Sequence, residues 1–123
     1  MRQLAAKLCR PLKRKGQRYR ALNPWSPLDG AVLEAISRGE FALNGLRNRD
    51  LRARLYPAKA SSKEERRRAA RVSRLLALLR VHGILRKVTG THRYHLTPKG
   101  RTVVTALLTA READTVKLTQ LAA

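Results

Sequence analysis

The chain has 123 residues, a length that suits a single domain with one hydrophobic core. It carries 28 Lys and Arg residues against 8 Asp and Glu residues, which gives a formal net charge of +20. A compact chain with this excess repels itself, and a polyanionic partner is the usual reason for it. Arginine supplies 20 of the basic residues and lysine supplies 8, a bias that favours bidentate contacts to phosphates and guanine edges.

The composition also argues against several classes of protein. No apolar run approaches the length of a membrane span, and no apolar segment with a small-residue cleavage site opens the chain. The single cysteine, Cys9, forbids an internal disulfide framework and a multi-thiolate zinc site. The 8 acidic residues leave few candidates for acid–base or two-metal chemistry. We therefore expect a binding protein, not an enzyme, with no catalytic residues, no metal site and no cofactor.

Residues 1–23 are predicted to form a basic arm. The first twenty residues hold eight Lys or Arg residues and no acid, and a short helix is expected before Pro11. Three of the basic residues are candidate contacts to a nucleic acid: Arg14, Lys15 and Arg18. A solvated tail, a mitochondrial transit peptide and a nuclear signal have similar compositions, and these interpretations stay open.

Helical signals begin at Ser26. A serine cap, Pro27 at the first helical position and Asp29 at the third mark a helix N-terminus, and Gly39 is expected to end the helix. We expect the side chain of Trp25, just before this helix, to fill the core.

A short strand and a short basic helix are predicted next. Residues 41–43 are apolar and predict a brief strand, after which Asn44 or Asn48 can cap a helix that Pro57 ends. Three arginines on this helix are expected to hold it against a nucleic-acid strand: Arg47, Arg49 and Arg52.

The following helix carries the strongest signal. Ser62 at the cap with Glu65 three residues later forms a capping box, and Gly83 is the expected terminator. Its predicted apolar stripe consists of Ala69, Val72, Leu75, Leu76 and Leu79. Three arginines fall on a different face, at spacings i, i+4 and i+7: Arg67, Arg71 and Arg74. A helix with this pattern can bury one side and insert the other into a groove.

Beyond Gly83 the pattern becomes extended. Residues 84–88 and 92–96 predict two strands of a hairpin around Gly90. Pro98 then opens a last helix, and a break is expected near Asp114. His92 and His95 stand three apart on a strand, where their side chains point to opposite faces, so a shared metal ion is not expected.

The order helix, short strand, helix, helix and hairpin resembles the winged helix-turn-helix fold. The segment VSRLLALLRVHGILR at 72–86 is similar to the recognition helix, glycine turn and first wing strand of MarR-like and ArsR-like bacterial regulators. The segment RYHLTPKGR at 93–101 is similar to their second wing strand and following helix. The resemblance covers residues 26–110 and implies a fold of class α+β, mostly α. Residues 24–123 would form the winged-helix domain with a C-terminal helical extension.

This resemblance implies that the long helix enters the major groove of duplex DNA. The residues expected near base edges and phosphates are Arg67, Ala70, Arg71 and Arg74. Phosphate contacts are expected from Lys63, Arg66 and Arg68. The wing would reach the backbone or the adjacent minor groove through Lys87, Thr89, Thr91, His92 and Arg93.

The expected setting is transcriptional control or a mobile-element protein in the bacterial cytoplasm, with mitochondrial and nuclear locations as alternatives. A charge of +20 also suits a structural RNA-binding protein of the ribosome or another ribonucleoprotein. A third interpretation is a winged helix that binds protein in a larger assembly. In that case the C-terminal helix, which carries Leu107 and Leu108, is the expected surface for a homodimer or another partner.

Overall fold

The structure of the protein, a computed structural model, describes residues 12–14, 17–23, 25–39 and 41–122. The elements in chain order are β1 (Leu12–Arg14), β2 (Gln17–Tyr19), α1 (Pro27–Ile36), α2 (Phe41–Asn44), α3 (Asn48–Leu55), α4 (Ser62–Val81), β3 (Leu85–Lys87), β4 (Tyr94–Leu96) and α5 (Pro98–Ala122). The described part is therefore α+β and mostly helical. The antiparallel hairpin of β3 and β4, which follows α4, is compatible with a winged-helix layout.

The predicted arm contains an antiparallel hairpin. Strands β1 and β2 pair with Leu12 opposite Tyr19 and Arg14 opposite Gln17. Farther along, Leu22 is only 2% exposed and belongs to the hydrophobic core. The last residues of the arm therefore pack against the helices. Cys9 and the short helix expected before Pro11 lie outside the described residues.

Helix α1 begins as predicted, because the backbone N–H of Asp29 donates to the Ser26 hydroxyl at 3.1 Å and Pro27 opens the helix. The prediction that Trp25 fills the core is wrong, since its side chain is 52% exposed. The chain turns at residues 25 and 26 before the helix starts. Leu22, three residues before Trp25, fills the core instead.

Residues 20–23 are tied to the ends of two helices. Two guanidinium nitrogens of Arg20 donate to the two carboxylate oxygens of Asp29, each at 2.8 Å, and the N–H of Asn23 donates to the same carboxylate at 2.9 Å. The backbone carbonyl of Arg20 lies 3.0 Å from Nε2 of His82, which caps the C-terminus of α4. This segment therefore joins the start of α1 to the end of α4.

The same contacts decide the ionisation of Asp29. Burial raises the pKa of its carboxyl group, but the hydrogen bonds from Arg20 and Asn23 and the nearby positive charge outweigh burial, so the net pKa is lower than usual. The folded protein therefore favours the ionised form of Asp29.

The strand predicted at residues 41–43 is wrong, because Phe41–Asn44 forms the short helix α2. Gly45 follows with φ of 79°, a left-handed conformation that suits glycine and ends the helix. The extended contact comes one residue later, where Leu46 and Tyr94 exchange two backbone hydrogen bonds of 2.8 Å. Leu46 thus adds a third strand of one residue to the β3–β4 hairpin. The apolar pattern predicts this strand three to five residues too early.

The N-cap of helix α3 is Arg47, which corrects the prediction that Asn44 or Asn48 is the cap. The N–H of Arg47, the N-cap residue, donates to the Asp50 carboxylate at 2.8 Å. The Asn48 amide is used instead for tertiary contacts, since its nitrogen donates to the Ala69 carbonyl and the Ser73 hydroxyl, each at 2.9 Å. These two bonds fix the start of α3 against the middle of α4.

Helix α4 starts one residue earlier than the predicted capping box. The hydroxyl of Ser61, not Ser62, accepts from the N–H of Glu64 at 3.2 Å. The helix ends as predicted, with Gly83 at φ of 76°. The predicted apolar stripe faces the core, where Val72, Leu75, Leu76 and Leu79 are buried, while Ala69 is half-buried.

The hairpin and the last helix complete the domain. Strands β3 and β4 pair with Leu85 opposite Leu96 and Lys87 opposite Tyr94, which confirms the predicted hairpin with shorter strands. The expected break near Asp114 is wrong, because α5 continues to Ala122 and the sequence after Gly100 contains neither glycine nor proline to end it. None of the helices in the described ranges is both long and apolar enough to cross a membrane.

We expect Asp29→Asn to lower the free energy of unfolding at pH 7 by about 1–3 kcal/mol, because it replaces a charge-assisted bidentate contact by a neutral one. The folded-state pKa of Asp29 lies below its unfolded value. Its contribution is therefore complete above the unfolded pKa of about 4 and is lost as the pH falls through the folded pKa. Urea unfolding between pH 7 and pH 2.5 measures this.

Glu34→Gln, which removes an exposed carboxylate from the same helix, is the matched control and should change stability by less than about 0.5 kcal/mol. A difference between wild type and Asp29→Asn that stays constant down to pH 2.5 would contradict the assignment.

We expect Gly100→Ala to destabilise the protein by about 1–3 kcal/mol, because a Cβ atom there would overlap the backbone of Ile84. Gly39→Ala is the control, since a Cβ atom at that position meets nothing within 4 Å. Thermal unfolding of both variants measures the contrast, and equal melting temperatures would show that α5 does not pack closely on the turn after α4.

Candidate nucleic-acid interface

The outer side of α4 presents a row of arginines. Arg67, Arg71 and Arg74 are all exposed, on the side of the helix away from the buried Val72 and Leu76. Helical spacing of four and three residues places their side chains in one line. We call Arg67, Arg71 and Arg74 the arginine face. Three other residues predicted to touch nucleic acid are also exposed on the first turns of α4: Lys63, Arg66 and Ala70.

Arg68 behaves differently from its neighbours. Its side chain is only 15% exposed, and its guanidinium donates to the Ala58 carbonyl at 2.7 Å and to the Glu65 carboxylate at 3.1 Å. These contacts connect α4 to the segment between α3 and α4. We therefore do not include Arg68 among the phosphate contacts, because an intramolecular network already uses its charge.

Tyr56 lies beneath two arginines of α4. The guanidinium carbon of Arg68 is 5.1 Å from the centre of the tyrosine ring and that of Arg71 is 5.8 Å from it, distances typical of cation–π contacts. Arg71 also donates to the Tyr56 hydroxyl at 3.0 Å, and this hydrogen bond raises the pKa of Arg71 above its usual value. Tyr56 thereby orients the middle side chain of the arginine face.

The arginine face ends where residues of the arm begin to cover α4. Leu78 follows Arg74 by four residues and so lies on the same side of the helix, but it is 5% exposed and belongs to the same core cluster as Leu22. His82, another turn on, bonds to the carbonyl of Arg20. Only the part of α4 before residue 75 can therefore insert its outer side into a groove.

The β3–β4 hairpin, the predicted wing, and α3 meet at a basic cavity. The cavity has a volume of about 320 Å³, and its lining includes Arg47 and Arg49 from the start of α3 and Arg93 from the wing. Asp50 is the acidic member of the lining. Arg49 is exposed, whereas Arg47, Arg52 and Arg93 are half-buried. The fold thus brings together arginines that lie more than forty positions apart in the sequence.

The wing tip divides into exposed and inward-turned residues. Lys87, Thr89 and His92 are exposed. The Thr91 hydroxyl donates to the Val88 carbonyl at 2.8 Å and accepts from the N–H of Arg93 at 3.2 Å, so it stabilises the turn.

Among the predicted arm contacts, Arg14 lies in β1 and Arg18 in β2, while Lys15 falls outside the described residues.

Within the ranges that the structure describes, no group of three His, Cys, Asp or Glu side chains could hold a metal ion. Comparisons with protein-family models, with curated proteins and with solved structures find no match to this chain.

Sequence patterns missed two residues that shape this surface. Tyr56 follows a short helix and shows no periodicity that would pair it with arginines on α4. Arg20 was one of many basic residues in the arm, and its contact with Asp29 depends on how the chain returns to α1. A proline after Tyr56 was the one available signal, since it predicted that the chain turns there.

We expect Tyr56→Phe to increase the mobility of the Arg71 guanidinium, because the hydroxyl acceptor is lost while the ring remains. Arg68 should keep its order, since the Ala58 carbonyl and Glu65 still hold it. Heteronuclear NOE values of the arginine Nε–Hε groups measure both side chains in one sample. Unchanged values for Arg71 would show that the ring alone, and not the hydroxyl, positions it.

Proposed function

We propose that the protein is a nucleic-acid-binding winged-helix module that binds duplex DNA through α4. The observation that carries the proposal is the arginine face, three exposed guanidinium groups in line on a helix whose opposite side is buried in the core. A major groove about 12 Å wide admits one α-helix, and arginine can bind guanine O6 and N7 with two hydrogen bonds. The setting we propose is transcriptional control or a mobile-element protein.

The position of the arginine face supports insertion of the first part of α4. Lys63 and Arg66 beside it can contact phosphates, and Ala70 lets the helix approach closely. Glu64 and Glu65 are the acids of this turn, and both contact Arg68, at 3.9 Å and 3.1 Å. The pairing reduces their repulsion of a polyanion.

The flanking basic groups support a footprint wider than one groove. Arg49 at the start of α3 and Lys87 and His92 in the wing are exposed, and they can contact the sugar–phosphate backbone on either side of α4. Such contacts add affinity and fix orientation without reading sequence. With a net charge of +20, the affinity for nucleic acid should depend strongly on the salt concentration.

We expect the double substitution Arg71→Ala and Arg74→Ala to weaken duplex binding at least tenfold, about 1.4 kcal/mol, and to reduce the slope of log K against log salt by roughly two. Fluorescence anisotropy with a labelled duplex at several salt concentrations measures both quantities.

The matched control is Lys99→Ala with Arg101→Ala, which removes the same charge from exposed positions in the first turn of α5. If both double variants lose affinity equally, the net charge and not the arginine face determines binding. Parallel titration with a structured RNA tests the ribonucleoprotein alternative, which a preference for RNA of about tenfold or more would favour.

A further inference from the structure

A groove with an apolar floor lies beside the arginine face. Its volume is about 570 Å³, within the roughly 300–1,000 Å³ typical of ligand-binding clefts. The buried side chains of Leu75 and Leu78 from α4 form its floor, and the exposed Leu28 from α1 contributes apolar surface. Arg20, Arg71 and Arg74 contribute positive charge. The groove is formed where residues 19 and 20 and the first turn of α1 approach α4.

The groove holds apolar surface that the fold leaves in water. Trp25 and Leu28 are the large hydrophobic side chains recorded as exposed in the described part of the chain, and both lie at the start of α1. Leu28 is 39% exposed and lines the groove. Exposed apolar side chains in a concave surface with a polar rim are typical of protein-binding sites.

The charges around the groove specify the complementary ligand. Among the described residues that line it, none carries a carboxylate, and the three arginines come from two separate parts of the chain. The guanidinium of Arg20 is already shared with Asp29, whereas Arg71 and Arg74 are exposed. A nucleic-acid backbone can neutralise these charges but offers no aliphatic surface to cover Leu28. A peptide with both acidic and aliphatic side chains can pair with the arginines and also cover the apolar surface of the groove.

We propose that this groove binds an acidic amphipathic segment of a partner protein, with aliphatic side chains against Leu28 and carboxylates against Arg71 and Arg74. Arg71 and Arg74 also belong to the arginine face. The segment and the duplex therefore compete for the same two side chains, so the partner would release the protein from DNA. The competition, though not the groove itself, rests on the proposed function.

The test uses the full chain and a labelled peptide of about 15 residues, with leucines at i, i+4 and i+7 and glutamates at the flanking positions. The first arm measures direct binding of this peptide by anisotropy, without DNA. The second arm measures displacement of a labelled duplex by unlabelled peptide. A peptide with the glutamates replaced by lysines and one with the leucines replaced by serines serve as ligand controls.

Leu28→Ser is the informative variant, because Leu28 is exposed, lines the groove and lies outside the proposed DNA interface. We expect it to weaken peptide binding about fivefold or more and to leave duplex affinity unchanged within about twofold. Arg74→Ala should weaken both ligands. Trp25→Ser removes an exposed apolar side chain that does not line the groove, and it should alter neither affinity.

Failure of the peptide to bind, or binding that Leu28→Ser leaves unchanged, overturns the proposal whatever the duplex does. Peptide binding without displacement of a bound duplex overturns the competition. Self-association of the chain that Leu28→Ser abolishes would assign the groove to a second copy and also overturn the proposal. If the wild-type protein binds the peptide but not the duplex, the result contradicts the proposed function and not the groove.

Discussion

Helix α4 must keep two sides in opposite environments over its first four turns. Val72, Leu76 and Leu79 stabilise the domain only when they leave water, whereas the guanidinium groups of the arginine face stay hydrated because unpaired charges are costly to bury. The packing of α3 and β3 against α4, together with the Asn48 hydrogen bonds to Ala69 and Ser73, fixes the rotation of α4 about its axis. That rotation decides which arginines face outward together.

The contacts around Arg20 extend this constraint to the start of α1 and the end of α4. The pair with Asp29 and the bond to His82 hold the last part of the arm over α4. Residues 19 and 20 form one wall of the groove beside α4, and the bond of the Arg20 carbonyl to His82 places the same segment at the end of the helix. One packed segment therefore delimits the proposed DNA interface and creates the second surface next to it.

Arginine side chains in this protein differ in function according to their local partners. Arg68 is held by a carbonyl and a carboxylate and contributes to structure, while Arg67, one residue earlier, stays 64% exposed with a 3.9 Å contact to Glu64. Arg71 is oriented by Tyr56 and still reaches solvent. Consecutive residues such as Arg67 and Arg68 are rotated by about 100° about the helix axis. This rotation places one arginine in solvent and the other in an internal network.

Local chemistry in the sequence determined much of the secondary structure: the Ser26–Pro27 start of α1, the Gly83 end of α4, and the wing around Gly90. These features depend on hydrogen bonds and dihedral preferences within a few residues, so they can be read from the chain. The sequence also placed the arginine face, because periodicity fixes which side chains share a side of a helix. It did not place the strand contact at Leu46, the cap of α3 or the exposure of Trp25. Leu46 pairs with Tyr94, which is distant in sequence, whereas the cap of α3 is a local contact between Arg47 and Asp50, and arginine is not a residue typical of N-caps. Tertiary structure alone decided that Tyr56 lies under Arg71 and that Arg20 meets Asp29, because both contacts require the chain to return to itself.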